Sequence, residues 1–226
     1  MSVIPLLPNL RFSVRSYWHV AAWGLLSSGA LGADELIVSD LRLGLETMPT
    51  HFAYTVTDAN HSASGSSDFS YGFGLGLSGM YAFPAPGRSS NFFMGAEVEA
   101  ANYRYQDDGS YKSVSLRAIG GYAWAFADRW QFEAEGWLGY GEAKLSIPTN
   151  ALVSSIDASG HMYEYGIDAG VSYQIATHWL VNLRAGWTQS QSHMSGDGLV
   201  IDIKPAGPMG FLGLTYRFGG LPPAIQ

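Results

Sequence analysis

Alternation of large apolar residues with small residues is the feature that most constrains this chain. From Phe69 to Phe83 every second residue is bulky and apolar or a glycine, and the residues between are mostly serine, glycine and alanine. Successive side chains of a strand point to opposite faces, so this run predicts an extended strand and not a helix. Similar runs recur along the chain until Phe218.

The two faces of these segments indicate which side meets lipid. The apolar face carries bulky aromatic residues, while the other carries glycine, serine and charged residues, with too little bulk to fill a soluble core. An apolar outer face and a polar inner face are typical of outer-membrane β-barrels. We therefore expect the apolar side chains to face lipid.

The alternating segments number eight, which is an even number, as bacterial barrels of this class require. They span residues 41–57, 69–84, 91–105, 112–127, 129–146, 161–176, 178–193 and 208–218. Short connections near 84–87, 127–129 and 176–178 alternate with longer ones at 58–68, 106–111, 147–160 and 194–207. The pattern predicts an all-β, eight-stranded antiparallel up-and-down transmembrane β-barrel, with both mature termini on the periplasmic side of the cell outer membrane.

Composition narrows the class further. Charged residues make up 14% of the chain, against about a quarter in ordinary soluble domains. Mean hydropathy is only +0.04, which disfavours a helical membrane protein. There is no cysteine for disulfides or thiolate metal sites, and a net charge of −7 argues against nucleic-acid binding.

The first 33 residues are typical of a secretory signal peptide. Arg11 and Arg15 precede an apolar stretch at 18–31, and Gly32 and Ala33 offer a cleavage site. The alternative, an uncleaved anchor helix, is disfavoured because about 20 apolar residues are needed to span a bilayer. We expect a signal peptide at 1–33, a barrel at 34–218 and a short periplasmic tail at 219–226.

Aromatic residues cluster beside the short connections. Such rings favour the interface between membrane and water. The predicted girdle consists of Trp124, Phe126, Trp130, Tyr173, Trp179, Tyr216 and Phe218. The first segment presents Phe52, Tyr54 and Val56 on the parity opposite to that of Leu41 and Leu43, which predicts a β-bulge near Pro49.

The closing run Gly210-Phe211-Leu212-Gly213-Leu214-Thr215-Tyr216-Arg217-Phe218 alternates and ends in an aromatic residue. The chain thereby resembles the small eight-stranded outer-membrane proteins of the OmpA and OmpX type, including the outer-membrane β-barrel domain of porin-like proteins. The resemblance covers nearly the whole mature chain and lies in its pattern. It implies insertion by the barrel-assembly machinery, although this family usually ends at the aromatic residue, whereas here residues 219–226 follow.

The opposite parity collects charged and polar residues that we expect to fill the interior. They are Arg42, Glu46, Glu97, Glu99, Arg117, Glu133, Glu135, Glu164, Asp168, Asn182, Arg184 and Arg217. Eight strands enclose a space that side chains can fill, so these residues should pair across the axis. Seven carboxylates face four arginines, and the excess must share protons, hold water or attract cations.

These features favour a structural or surface-interaction role, with outer-membrane lipids, lipopolysaccharide and an extracellular ligand of the loops as partners. The main alternative is a low-conductance, cation-preferring passive pore, because lumen charge sets selectivity. We expect no cofactor and no metal site. His51 and His161 have no partner at metal-ligand spacing.

A third possibility rests on His193 and Ser195. This His-x-Ser spacing is similar to that of the outer-membrane lipid A deacylase family, in which a histidine activates a serine near bound lipid. A general base beside a hydroxyl is what nucleophilic acyl transfer requires. Gly196 departs from the asparagine of that family, and the sequence assigns no orienting acid.

Overall fold

A computed structural model describes residues 40–84, 90–105, 109–148 and 155–218. The predicted signal peptide, the tail at 219–226 and the connection at 85–87 lie outside the described residues. The ten strands are β1 (Asp40–Thr47), β2 (His51–Thr57), β3 (Ser62–Asp68), β4 (Tyr71–Pro84), β5 (Ser90–Arg104), β6 (Ser110–Ala127), β7 (Trp130–Ile147), β8 (Ile156–Ala176), β9 (Trp179–Gly196) and β10 (Leu199–Arg217).

Eight of these strands close into a ring. Their order is β1-β4-β5-β6-β7-β8-β9-β10, every pairing is antiparallel, and β10 returns to β1. This confirms the predicted eight-stranded up-and-down barrel. The remaining hairpin, β2 and β3, continues along β10, and within the described part of the chain β3 pairs with β2 alone. None of the described residues belongs to a helix that could span a membrane.

The two ends of the barrel differ. We call the end with Asp40, Arg217 and the β6–β7 and β8–β9 connections the turn end, and the opposite end the loop end. The long connection predicted at 194–207 is wrong, because β9 and β10 continue to a two-residue turn at Asp197 and Gly198. Both turn residues have positive φ, 51° and 76°, as the tight turns that match strand twist require.

The predicted bulge near Pro49 is also wrong. β1 and β2 keep one register along β10, since Asp40 pairs with Arg217 and Val56 with Ile201, and the residue numbers of both pairs add to 257. Phe52, Tyr54 and Val56 point inward on the same parity as Arg42. The one-residue shift lies instead between β3 and β4.

Residues Phe69 and Ser70 carry that shift. Pairs between β1 and β4 add to 120, as for Leu45 and Leu75, whereas pairs between β2 and β3 add to 119. Phe69 is consequently only 3% exposed, although the alternation placed it on the outer face. It stacks on Phe52 inside the loop end, with ring centroids 4.2 Å apart.

The other outward residues lie as the alternation predicts. Large apolar side chains such as Leu138, Ile167 and Phe92 expose 71%, 68% and 66% of their surface. So much apolar surface is tolerated only in contact with lipid.

The interior is packed in layers. At the loop end an apolar cluster includes Phe52, Phe69, Tyr103, Tyr111 and Met194. A second apolar cluster contains Phe93, Ile119, Trp137, Met209 and Phe211. Inward-facing glycines make room for these rings, since a Cβ on Gly44 would lie 2.1 Å from the ring of Phe211. The charged residues occupy the remaining interior.

Candidate functional site: the charged interior

Arg117 of β6 lies at the centre of the larger charged cluster. Its guanidinium donates two hydrogen bonds to Glu164, from Nε at 3.0 Å and from Nη2 at 2.9 Å. Nη1 reaches both oxygens of Glu46 at 3.1 Å and Glu97 at 2.9 Å. Glu99 lies 3.3 Å from Nη2. One buried cation therefore faces four carboxylates that extend from three other strands.

Ser115 joins two of those carboxylates. Its hydroxyl lies within hydrogen-bonding distance of Glu164 and 3.4 Å from Glu99. Oε1 of Glu99 is buried and has no hydrogen-bond partner among the described residues. The cluster is thus rich in acceptors, and its stability depends on the single guanidinium.

Arg42 and Arg184 form the second cluster, nearer the turn end. Arg42 donates to Glu135 at 2.7 Å and to Glu133 at 3.2 Å. Arg184 lies 2.9 Å from Glu135 and 3.1 Å from Asp168. The ring of Phe211 lies beneath both guanidiniums, 3.9 Å from Cζ of Arg184 and 5.7 Å from that of Arg42.

Neutral side chains extend this second cluster. Ser172 donates to Glu133 at 2.6 Å, Asn182 donates to Ser172 at 2.7 Å, and Thr215 donates to Asn182 at 2.7 Å. The alternation placed Asn182 in the interior, but it gave no reason to select the hydroxyl residues. Serine and threonine occur on both faces, so only the tertiary structure identifies the ones that bond.

Arg217 closes the turn end with a residue that the sequence interpretation missed. Its guanidinium binds Asp40 with two hydrogen bonds, at 2.8 and 2.9 Å. Asp40 has the inward parity of Arg42 and stands one residue before the first predicted segment, which is why it was overlooked. Among the described residues the interior therefore holds eight carboxylates and four arginines, one carboxylate more than the sequence indicated.

All twelve residues predicted for the interior lie there, and the structure divides them into these three groups. The predicted girdle residues lie together at the turn end. Trp130 packs on Tyr173 with centroids 4.7 Å apart, and Trp179 packs on Tyr216 at 5.0 Å. Within the described residues, no three His, Asp or Glu side chains are arranged to hold a metal ion.

His193 and Ser195 lie on the outer face near the loop end, away from the interior. Nδ1 of His193 is 2.8 Å from Oδ1 of Asp202 on the neighbouring strand, a contact that the sequence did not indicate. No hydrogen bond between His193 and Ser195 is present in the described part of the chain. The sequence does not single out Asp202, because this residue lies in the predicted connection at 194–207.

A closed ring with an apolar outer face and an ion-paired interior decides the architecture. This chain folds as a closed eight-stranded β-barrel whose apolar outer face suits contact with lipid. No protein-family model matches the sequence, and no curated protein matches it. Solved structures with a similar fold include Ail, the attachment invasion locus protein of Yersinia pestis, at 15% identity and a TM-score of 0.37, covering 80% of this chain and 100% of Ail.

Two further structures are similar at the level of fold. Neisserial surface protein A is 14% identical with a TM-score of 0.42, covering 79% of this chain and 97% of that protein. The outer membrane protein OprG from Pseudomonas aeruginosa is 15% identical with a TM-score of 0.44, covering 80% and 96%. At these identities the likeness concerns the fold only.

Removing Arg117 tests how far the barrel depends on the first cluster. We expect Arg117→Gln to lower the free energy of unfolding by about 3–5 kcal/mol, because four buried carboxylates lose their cation. Urea titration in detergent micelles, followed by tryptophan fluorescence, measures this change.

The matched control is Arg129→Gln, since Arg129 is exposed in the β6–β7 turn and should change stability by about 0.5 kcal/mol or less. Adding Glu164→Gln to Arg117→Gln should recover part of the loss, because one uncompensated charge is removed. Equal stabilities of the Arg117 and Arg129 variants would contradict this account.

Proposed function

We propose that this protein is a non-conducting outer-membrane barrel with a structural and surface-interaction role. The observation that carries the proposal is the filled interior. Three groups of ion pairs and two apolar clusters occupy the space that a pore would need for water and ions. Contacts with other molecules would then be made by the outer surface and by the loop end.

The ion pairs cross the axis of the barrel. Arg42 on β1 reaches Glu135 on β7, and these strands stand opposite each other in the ring of eight. Arg117 on β6 reaches Glu46 on β1, three strands away around the ring. Hydrogen-bonded bridges across the interior would interrupt a continuous water path, and conduction requires sites that ions can both enter and leave.

The loop end offers an ordered contact surface in the hairpin of β2 and β3. Its exposed face carries paired hydroxyls, with Thr55 and Ser64 at 2.9 Å and Thr57 and Ser62 at 3.1 Å. At the tip, backbone N–H groups of Asn60 and His61 donate to Asp58 and lower the pKa of its carboxyl. The tip therefore presents a fixed negative charge.

The outer edge of β3 adds to this surface. Within the described residues no strand pairs with that edge, and unpaired edges can accept an extended partner segment. We place the loop end outside the cell and both termini in the periplasm. Outer-membrane lipids would surround the apolar outer face of the barrel. The barrel-assembly machinery would recognise the closing strand at Gly210–Phe218.

Planar-bilayer recording separates this proposal from the rival cation-preferring pore. We expect no stable single-channel openings at either polarity after insertion of the refolded protein, because the ion pairs block the axis. A general porin in the same bilayer serves as the positive control. Reproducible openings with cation preference would favour the pore.

The orientation can be tested because the chain contains no cysteine. We expect Asn60→Cys, in the β2–β3 turn, to react with a membrane-impermeant maleimide on intact cells. Asp128→Cys, in the β6–β7 turn, should react only after the outer membrane is permeabilised. The reverse pattern of labelling would place the termini outside and overturn the surface role of the hairpin.

A second candidate function, lipid acyl-ester hydrolysis, is favoured by one observation, the contact between His193 and Asp202. Asp202 would hold the imidazole, His193 would take the proton of Ser195, and Ser195 Oγ would attack the ester carbonyl. His193 would then give that proton to the leaving alcohol, and water would hydrolyse the resulting acyl-serine ester. All three residues face outward near the loop end, where an ester of a membrane lipid could approach.

Mass spectrometry of lipid A from expressing cells tests this second function. Hydrolysis predicts loss of one acyl chain with the wild type and none with Ser195→Ala. The control is Ser159→Ala, because Ser159 lies directly opposite Ser195 on β8 and is also exposed. An unchanged lipid A spectrum in all strains would exclude the hydrolase.

A further inference from the structure

A row of four titratable residues crosses the outer face of the barrel near the loop end. Its members stand directly opposite one another in successive strand pairs, and they are Glu142 on β7, His161 on β8, His193 on β9 and Asp202 on β10. Directly opposed side chains have Cβ atoms about 4.5–5.5 Å apart. The two histidines are therefore neighbours in space although they lie far apart in the sequence, where their spacing indicates no site.

The rings of His161 and His193 are placed as two ligands of one metal ion would be. Their centroids are 5.7 Å apart and their planes are tilted by 41°. Two imidazoles that bind one Zn²⁺ through nitrogens at about 2.0–2.1 Å have centroids roughly 5–6 Å apart. Rotation of the two side chains can thus bring one nitrogen of each ring to a shared ion.

Asp202 prepares His193 for this role. Oδ1 of Asp202 lies 2.8 Å from Nδ1 of His193. An ionised carboxylate only accepts hydrogen bonds, so in the neutral ring Nδ1 carries the proton and Nε2 holds the lone pair. Metal-bound histidines commonly donate their second N–H to a carboxylate in this way. The contact therefore leaves Nε2 of His193 ready to bind a metal ion.

His161 is positioned by aromatic rings. It stacks on Tyr140 with centroids 6.4 Å apart and meets the edge of Tyr163 at 5.7 Å. No hydrogen bond to either ring nitrogen of His161 is present among the described residues. Glu142 stands on the side of His161 away from His193. One nitrogen of His161 can therefore bind a metal ion while the other donates to Glu142.

We propose that His161 and His193 together bind one borderline divalent metal ion of the class of Zn²⁺, Ni²⁺ and Cu²⁺. Imidazole suits these ions, whereas Mg²⁺ and Ca²⁺ prefer oxygen ligands. The protein supplies two ligands, since the described residues contain no group of three that could hold a metal, and water completes the coordination. This site goes beyond the surface-interaction role, and its ion occupies the Nε2 that lipid hydrolysis would require of His193.

A second histidine–aspartate pair serves as the comparison. His51 and Asp68 stand opposite each other on β2 and β3, with Nδ1 2.9 Å from Oδ1. This pair is also exposed, but no second imidazole contacts His51 in the part of the chain that the structure describes. It has the oriented histidine without the second ligand.

Isothermal titration calorimetry with Zn²⁺ tests the site on refolded protein without a polyhistidine tag. We expect one ion per chain, and His161→Gln or His193→Gln should each raise the Kd at least about tenfold, because a single imidazole cannot chelate. Asp202→Asn should raise the Kd about tenfold, and Asp202→Glu should retain most of the affinity. The matched controls, His51→Gln and Asp68→Asn, should change the Kd less than about twofold.

Each variant is first shown to fold by a urea midpoint, measured without metal, equal to that of the wild type. Absence of Zn²⁺ binding by the wild type would overturn the proposal, as would equal losses for His51→Gln and His161→Gln. Displacement of Zn²⁺ by excess Mg²⁺ would also overturn it, because carboxylates and not imidazoles would then be the ligands. None of these outcomes depends on whether the barrel conducts ions or which end faces outward.

Discussion

Closure of the backbone hydrogen bonds is the constraint on which the whole structure depends. In hydrocarbon an unpaired N–H or C=O costs several kcal/mol, so a membrane sheet must have no free edge. Here β10 pairs with β1 and completes the ring. The only edge that the described strands leave open belongs to β3, in the hairpin beyond the ring, where water can satisfy it. The position of this edge makes it available for contacts without cost to the part in lipid.

Closure of eight strands has a second consequence, because the enclosed space is narrow. Side chains must fill it, and the arginines do so together with their carboxylates and two apolar clusters. The glycines opposite these groups are part of the same packing. A Cβ on Gly139 would lie 2.6 Å from Glu164, and one on Gly166 would lie 2.2 Å from the ring of Trp137. A filled interior is the basis of the proposal that this protein acts through its surface.

That surface carries its three lysines in the loop-end half. His193, Asp202 and Ser195 lie in the same half on β9 and β10. The proposed hydrolase would act on membrane lipid, while the hairpin extends beyond the ring of eight strands.

Much of the fold could be predicted from the alternation alone. The outer rows on β5 to β10 and the twelve interior positions follow from parity, because side chains alternate in any strand. The bulge could not be placed in this way. Phe52, Tyr54 and Val56 suggested a shift near Pro49, yet these residues point inward because the loop end of the interior is apolar. Only the pairing of β2 with β10 and with β3 locates the shift at Phe69 and Ser70.

The ion pairs across the barrel are even harder to predict from the sequence. Arg42 and Glu135 are separated by 93 residues, and the choice among seven candidate carboxylates depends on the stagger of strands around the ring. The sequence does not predict the turn at Asp197 and Gly198. The ends of β9 and β10 next to this turn carry many polar residues, and such a run resembles a loop. Alternation within the sequence thus determined which residues face lipid and which face inward. The tertiary structure decided which charges meet, because pairing depends on register between distant strands and leaves no local periodicity.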